Sequence, residues 1–404
     1  MTIKVFRSDQ LGAPNISGMN APTLIGALDA LCVVGYGDVT ATQASMVGDL
    51  VTVTFSTPHG LLTGDSAVIS GAVESYYNGE FVVTALSSTV FTYHIPVVPS
   101  NVVTPTNGTI VSKRAPAGFT KLFSGEGKAV YQANDVNGRR FPIRVVDNGT
   151  SGGGYQEARV TCYESMTDVN TGDNMFPTNA MLEDGFVWYK SDTADDVAKA
   201  WVAISDGKTF YWWSYIDTPA HTGYLAAPSA KMYSVAFGDI NSYKPGDFYA
   251  SFLTGAPAEN TFLDDNKSGL YTPVTAITNK ELTSAIAPLV MARTFTAIAT
   301  PRLAGLFASG LNDTTLGSDI YMSYPHAPDN GFYMTPILVT QDDPALIRGR
   351  MPGLFEPMHG PCFPNTTIVD NVQGYPGRKF MMMHGKNGTA VGSLMVDITG
   401  PWDA

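Results

Sequence analysis

Cysteine is scarce. It occurs three times in 404 residues, at Cys32, Cys162 and Cys362, an odd number set far apart, so neither a disulfide framework nor a CxxC metal knuckle is available. Charge is thin as well: 15% of residues are charged, against about 25% in ordinary globular domains. Basic residues are the rarer sign, 24 against 36 acidic, for a formal net charge of -12. Such a surface repels phosphate backbones, so no nucleic-acid partner is expected. The densest basic spots, Arg139-Arg140 and Arg348 with Arg350, lack interleaved aromatics and read as solvated turns. No run of eighteen apolar residues occurs, so no membrane-spanning helix is expected. The first residues, Met1 to Arg7, lack the charged-then-apolar pattern of a secretory signal, so folding in a reducing cytoplasm is the expectation.

The usual entry points to catalysis are missing too. There is no HExxH, Walker A loop or dinucleotide GxGxxG. One GxSxG match, Gly149-Thr-Ser-Gly-Gly153, sits in a glycine-rich loop, whereas a nucleophile elbow runs from a strand straight into a helix, so Ser151 reads as loop. The six histidines never fall two or four residues apart, the spacings that put two imidazoles on one face, and no metal site is expected. Asp264, Asn266, Ser268 and Gly269 imitate a calcium loop, but Thr275 stands where the bidentate Glu belongs, so a polar turn is the reading. Acids do lie near aromatics, as Glu183-Asp184 beside Phe186, Trp188 and Tyr189, and Asp206 before Trp212 and Trp213. A polysaccharide depolymerase would need two such carboxylates converging on a sugar bond, but aromatics at period 2 in strands are chiefly core. No cofactor and no enzymatic activity are expected.

What is present is a β pattern. Gly (40) and Pro (26) punctuate short runs of alternating residues. Leu50-Val-Thr-Val-Thr-Phe55 puts Val51, Val53 and Phe55 on one face and Thr52 and Thr54 on the other. Ala67 to Ser70, Gly79 to Thr84 and Val90 to His94 follow at the spacing of an antiparallel sandwich or barrel, with Gly108 to Ser112 to close it after a Pro-rich linker, Ile95 to Ser100. Further on, Trp201 to Ile204 and Thr209 to Tyr215 flank Asp206-Gly207, a strong hairpin signal, and predict an aromatic-rich hairpin. Helix is scarce, the best prediction starting at Thr278 with Glu281 as a capping box. The fold class expected is mainly β, a multi-domain antiparallel sandwich or barrel with an inserted small β module and few short helices. The division expected is 1–48 plus 113–258 as a first β domain, 49–112 as the inserted module and 259–404 as a second β-rich region.

The series Ser56-Thr-Pro-His-Gly-Leu61, Thr63-Gly-Asp65, Ile69-Ser-Gly71, Tyr77-Asn-Gly79, Phe81 to Thr84 and Phe91-Thr-Tyr93 resembles small β modules that recur in tailed-bacteriophage virion proteins. Trp201 to Trp212, Phe237-Gly-Asp-Ile240, Met351 to Leu354 and Asp397 to Trp402 are similar to segments of uncharacterised phage structural proteins. The resemblance implies a structural virion component of tail or baseplate type, assembled in the host cytoplasm and partnered by copies of itself and other virion proteins. It carries no catalytic residues. A receptor- or carbohydrate-binding tail protein, with Trp and Tyr exposed in a groove and a host surface glycan as partner, is the alternative, ahead of a depolymerase or a head-decoration protein. Tyr76, Tyr77 and Asn78, beside the Asn78-Gly79 turn, are the residues expected to contact a neighbouring subunit or host surface.

Overall fold

The computed structural model of the protein describes residues 2–96, 110–149, 154–220, 232–256, 289–307, 323–342, 345–359, 362–370, 372–387 and 390–402. Ser151, the Asp264 loop, the helix expected from Thr278 and most of the Pro-rich linker lie outside the described residues. Within them the chain is mainly β, in antiparallel sheets that include a small closed barrel. The α-helix among the described residues, Thr23–Leu28, runs into a π-helical turn, Asp29–Val34.

The largest sheet has thirteen strands. It starts at Lys4–Arg7, crosses to the hairpin Lys199–Ser205 and Phe210–Pro219, and continues through Met232–Asp239 and Ser251–Thr254 to Leu289–Met291 and the later strands. Ser251–Thr254 pairs with Leu289–Met291, for example Leu253 with Val290. Hydrogen bonding therefore joins strands on either side of the division expected at 258/259. The cause is that strands from both stretches share one pair of cores. Trp201, Ala203, Phe210 and Trp212 face a first core, closed by Leu24, Ile25 and Leu28 of the helix and by Tyr131, Val160 and Trp188 of a five-stranded sheet. Val202, Ile204, Tyr211 and Trp213 face a second core shared with Met381, Met383, Leu394 and Val396. Alternation thus feeds apolar side chains to both sides at once, which removes water from both faces. The register, Ala203 opposite Trp212 and Val202 opposite Trp213, stacks Trp201 on Trp212 with ring centroids 5.1 Å apart.

The barrel closes through Tyr36–Val47, Leu50–Phe55, Val90–His94, Gly79–Ser87, Ser66–Ser70 and Val111–Arg114, so it exposes no sheet edge. Its first strand begins well before residue 49 because Val47 and Leu50 are cross-strand partners, which puts Gly48-Asp49 in a turn inside the barrel. Its core holds Val51, Val53, Phe55, Tyr77, Val83 and Phe91 and takes no residue from the two large cores.

Candidate functional site

With both faces of the aromatic hairpin covered, the open surface of this part of the sheet lies at strand ends, and there the turns build a cleft. Asp206 ends the aromatic hairpin. Its carboxylate accepts hydrogen bonds from the backbone N–H of Lys208 (2.8 Å) and Thr209 (2.7 Å), while Gly207 takes a φ of 87° that the tight turn requires. Asp239 ends the next strand, and Gly238 before it leaves no room for a Cβ, which would lie 2.4 Å from the Lys208 carbonyl oxygen. That close approach lets the Thr209 hydroxyl donate to the Asp239 carbonyl at 2.8 Å. The Asn137–Arg139 turn then docks from the five-stranded sheet, the Arg139 N–H donating to the Asp239 carboxylate at 2.7 Å.

These groups line a hollow of about 380 Å³ together with Tyr243 and Arg350. Asn137 and Arg139 are shared with an adjoining hollow of about 800 Å³, lined by Val136, Phe141, Glu164, Asp173, Asn174, Phe248 and Tyr249. Burial pushes the Asp239 carboxyl up to about 6, with the nearby Asp206 charge acting in the same direction against Arg139 and Lys208. Asp239 therefore holds its proton to mildly acidic pH.

The loop that presents Tyr243, Phe248 and Tyr249 is fixed from beneath. Arg348 is buried and grips Asp247 with both arms of its guanidinium, Nε to Oδ2 and Nη2 to Oδ1 at 3.0 Å each, and reaches the Tyr249 carbonyl at 3.0 Å. Arg139 donates through Nε to the Asp247 carbonyl at 2.8 Å. Arg293 lies 4.0 Å above the Tyr249 ring and pairs with Glu164. Arg139 and Arg348 are thus anchors of this loop rather than solvated turns, because each meets backbone carbonyls or a carboxylate brought in from a distant segment. Phe248 is left 71% exposed and Tyr243 58% exposed.

Most of the residues singled out in the sequence lie elsewhere. All five Trp are buried, at 4% exposure or less, so none offers a face to a ligand. Glu183 and Asp184 are exposed, while Phe186, Trp188 and Tyr189 point into the cores. Tyr77 is fully buried in the barrel, its hydroxyl 3.0 Å from the Met46 sulfur. Tyr76 is half-buried against the same core. Asn78 closes a local loop, accepting from the Ala72 N–H (3.0 Å) and donating to the Ala72 carbonyl (2.8 Å). Asp206 is the one acid of those pairs that reaches the cleft, where it shares the hollow with Asp239 and Tyr243 rather than with Trp212 or Trp213.

No protein-family model matches the sequence, and no curated protein matches it. Among solved structures the chain is similar to the phage phi92 endosialidase, at 9% identity and a TM-score of 0.14 over 90% of this chain and 51% of that one. The likeness is to a phage protein, and it is weak. The chain spans about half the length of that protein. The name is that of an enzyme, and against it the expectation of a chain without enzymatic activity is withdrawn. A likeness of this size assigns neither a reaction nor a residue to this chain.

Proposed function

We propose that the chain is a component of a tailed-phage virion, of tail or baseplate type, that works through contacts with copies of itself and with neighbouring virion proteins. The observation that carries the reading is a row of apolar side chains on the outside of the barrel. Val82 (50% exposed) and Leu86 (62%) point out from strand Gly79–Ser87. Leu62 (62%) lies beside them, because the Thr63 hydroxyl accepts the Ala85 N–H at 3.0 Å. Apolar residues gathered on one wall of a closed barrel, where Thr would serve as well for the strand, mark a contact surface. The low charge of the chain fits such packing. Assembly would take place in the host cytoplasm, and the barrel is proposed to be a separate folding unit.

Sedimentation of the full chain over rising concentration tests the reading. Reversible association is expected, weakened by Val82→Glu with Leu86→Glu at unchanged circular dichroism. A monomer at every concentration, or association indifferent to the double variant, would overturn it. A receptor- or carbohydrate-binding role on the same virion is the second reading, favoured by the exposed Phe248 in the cleft.

A further inference from the structure

We propose that the cleft at the strand ends is a binding site for a neutral polysaccharide, with the Phe248 ring as its stacking face. The inference goes beyond the assembly reading and does not rest on it. A pyranose ring presents an apolar C–H face and a rim of hydroxyls that both donate and accept hydrogen bonds. Recognition needs a flat apolar surface beside fixed polar groups of both kinds, and this cleft has them.

The backbone that carries the stacking face is held in place. Phe248 is 71% exposed, yet the residues on either side of it are tied to buried Arg348, through the Asp247 carboxylate and the Tyr249 carbonyl. A backbone anchored on both sides of an exposed aromatic has already lost part of the freedom that binding would remove, which favours a ligand. The polar groups are ordered too. Asn137 is pinned by Asp135, which accepts from its N–H at 2.9 Å and its side-chain amide at 3.1 Å. Asn174 donates to Glu164 at 3.0 Å, and Asp173 lies on the same wall.

Shape and charge narrow the ligand. Two open hollows of about 380 and 800 Å³ flank Asn137 and Arg139 and together offer more room than one sugar ring fills, which suits a chain laid along the surface better than a small apolar molecule that must be enclosed. Around the track Asp206, Asp239 and Asp173 face Arg139, Lys208 and Arg350, and Glu164 is paired with Arg293, so no cationic excess is offered there, on a chain whose net charge is -12. A polyanionic glycan is repelled by that balance, and an uncharged one is not.

The test uses the full chain on an array of dextran, mannan, maltoheptaose, cellohexaose and neutral bacterial O-chains, with alginate and polysialic acid as anionic comparisons. Binding to at least one neutral glycan is expected, tighter for longer oligomers. In titration calorimetry with that glycan, Phe248→Ala should weaken binding at least about tenfold and Phe248→Tyr less than about threefold, at unchanged thermal midpoints. Asp173→Asn should weaken it as well. Binding to none of the neutral glycans, to the anionic ones alone, or with equal strength by Phe248→Ala would overturn the proposal. Because binding and association are read separately, a monomer that binds glycan would refute the assembly reading and leave this one standing.

Discussion

In the barrel, strand Leu50–Phe55 buries Val51, Val53 and Phe55 and turns Thr52 and Thr54 toward solvent; in the main sheet, strand Phe210–Pro219 buries Phe210 and Trp212 on one side and Tyr211 and Trp213 on the other. Both alternate at period 2, and the difference lies in what fills the second set of positions. Threonine there gives a strand with a wet face, free to meet a partner. Aromatics there demand a second core, so the strand loses its outer face and can act only at its ends. The two regions therefore offer surface of different kinds: walls on the barrel, and turns on the sheet. The cleft of Asp206, Asp239 and Phe248 sits on turns because nothing else of this part of the sheet reaches water.

The sharpest test of this contrast is the second core itself. Trp213 has no exposed surface and packs among Tyr211, Met351 and Leu354, so Trp213→Ala should cost about 3–5 kcal/mol through lost burial and the cavity left behind. Urea unfolding followed by circular dichroism measures it. A loss under about 1 kcal/mol would mean that the second face is not a core in solution.

A smaller effect, of opposite sign, is expected at the strand end. The folded Asp239 carboxyl is raised to about 6 by burial, above an unfolded value of about 3.9. The stability linked to its proton is fully present below about pH 4 and is lost as pH rises through about 6, because the unfolded chain ionises first. Across that window the wild type should lose about 2–3 kcal/mol relative to Asp239→Asn, which keeps an acceptor for the Arg139 N–H without the buried charge. The variant should thus be the more stable at pH 7 and equal near pH 4. Parallel pH dependence of the two proteins would show that Asp239 is ionised at its ordinary value.

How much of this was legible follows the range of the interactions. The Leu50–Phe55 alternation and the Asp206-Gly207 turn are encoded within a few residues, and the strands came out where the sequence puts them. Partner choice is long-range. Nothing near residue 258 announces that Ser251–Thr254 will pair with Leu289–Met291. The site suffered most. Asp247 and Arg348 meet across 101 positions, and without that contact Arg348 reads as a surface charge. Pro245-Gly246-Asp247 before Phe248 was the available signal, a turn carrying an aromatic. The place of Tyr77 is set the same way: beside a turn in sequence, it lies buried against Met46 and Tyr93 from other strands.

The smallest effect tests whether the barrel is a body of its own. Its core shares no residue with the other two, so detaching it should remove only its contacts with the rest of the chain, the first of them at Tyr36, which opens the barrel's first strand yet packs with Phe6 in the first large core and donates its hydroxyl to Gln10. Of these, the Lys4–Glu80 ion pair at 2.6 Å has a carboxylate 44% exposed and belongs with surface pairs, whose contribution is about 0–1 kcal/mol. Leu11 resting on Gly60 adds a single small contact. Residues 36–114 expressed alone should therefore fold, and the amides of Val51, Val53 and Val83 should exchange with solvent within about a factor of ten of their rates in the full chain, a difference of about 1.4 kcal/mol or less. Protection lost altogether in the isolated segment would mean that the barrel draws its stability from the main sheet, and the contrast between a free wall and a buried face would then describe one cooperative unit rather than two.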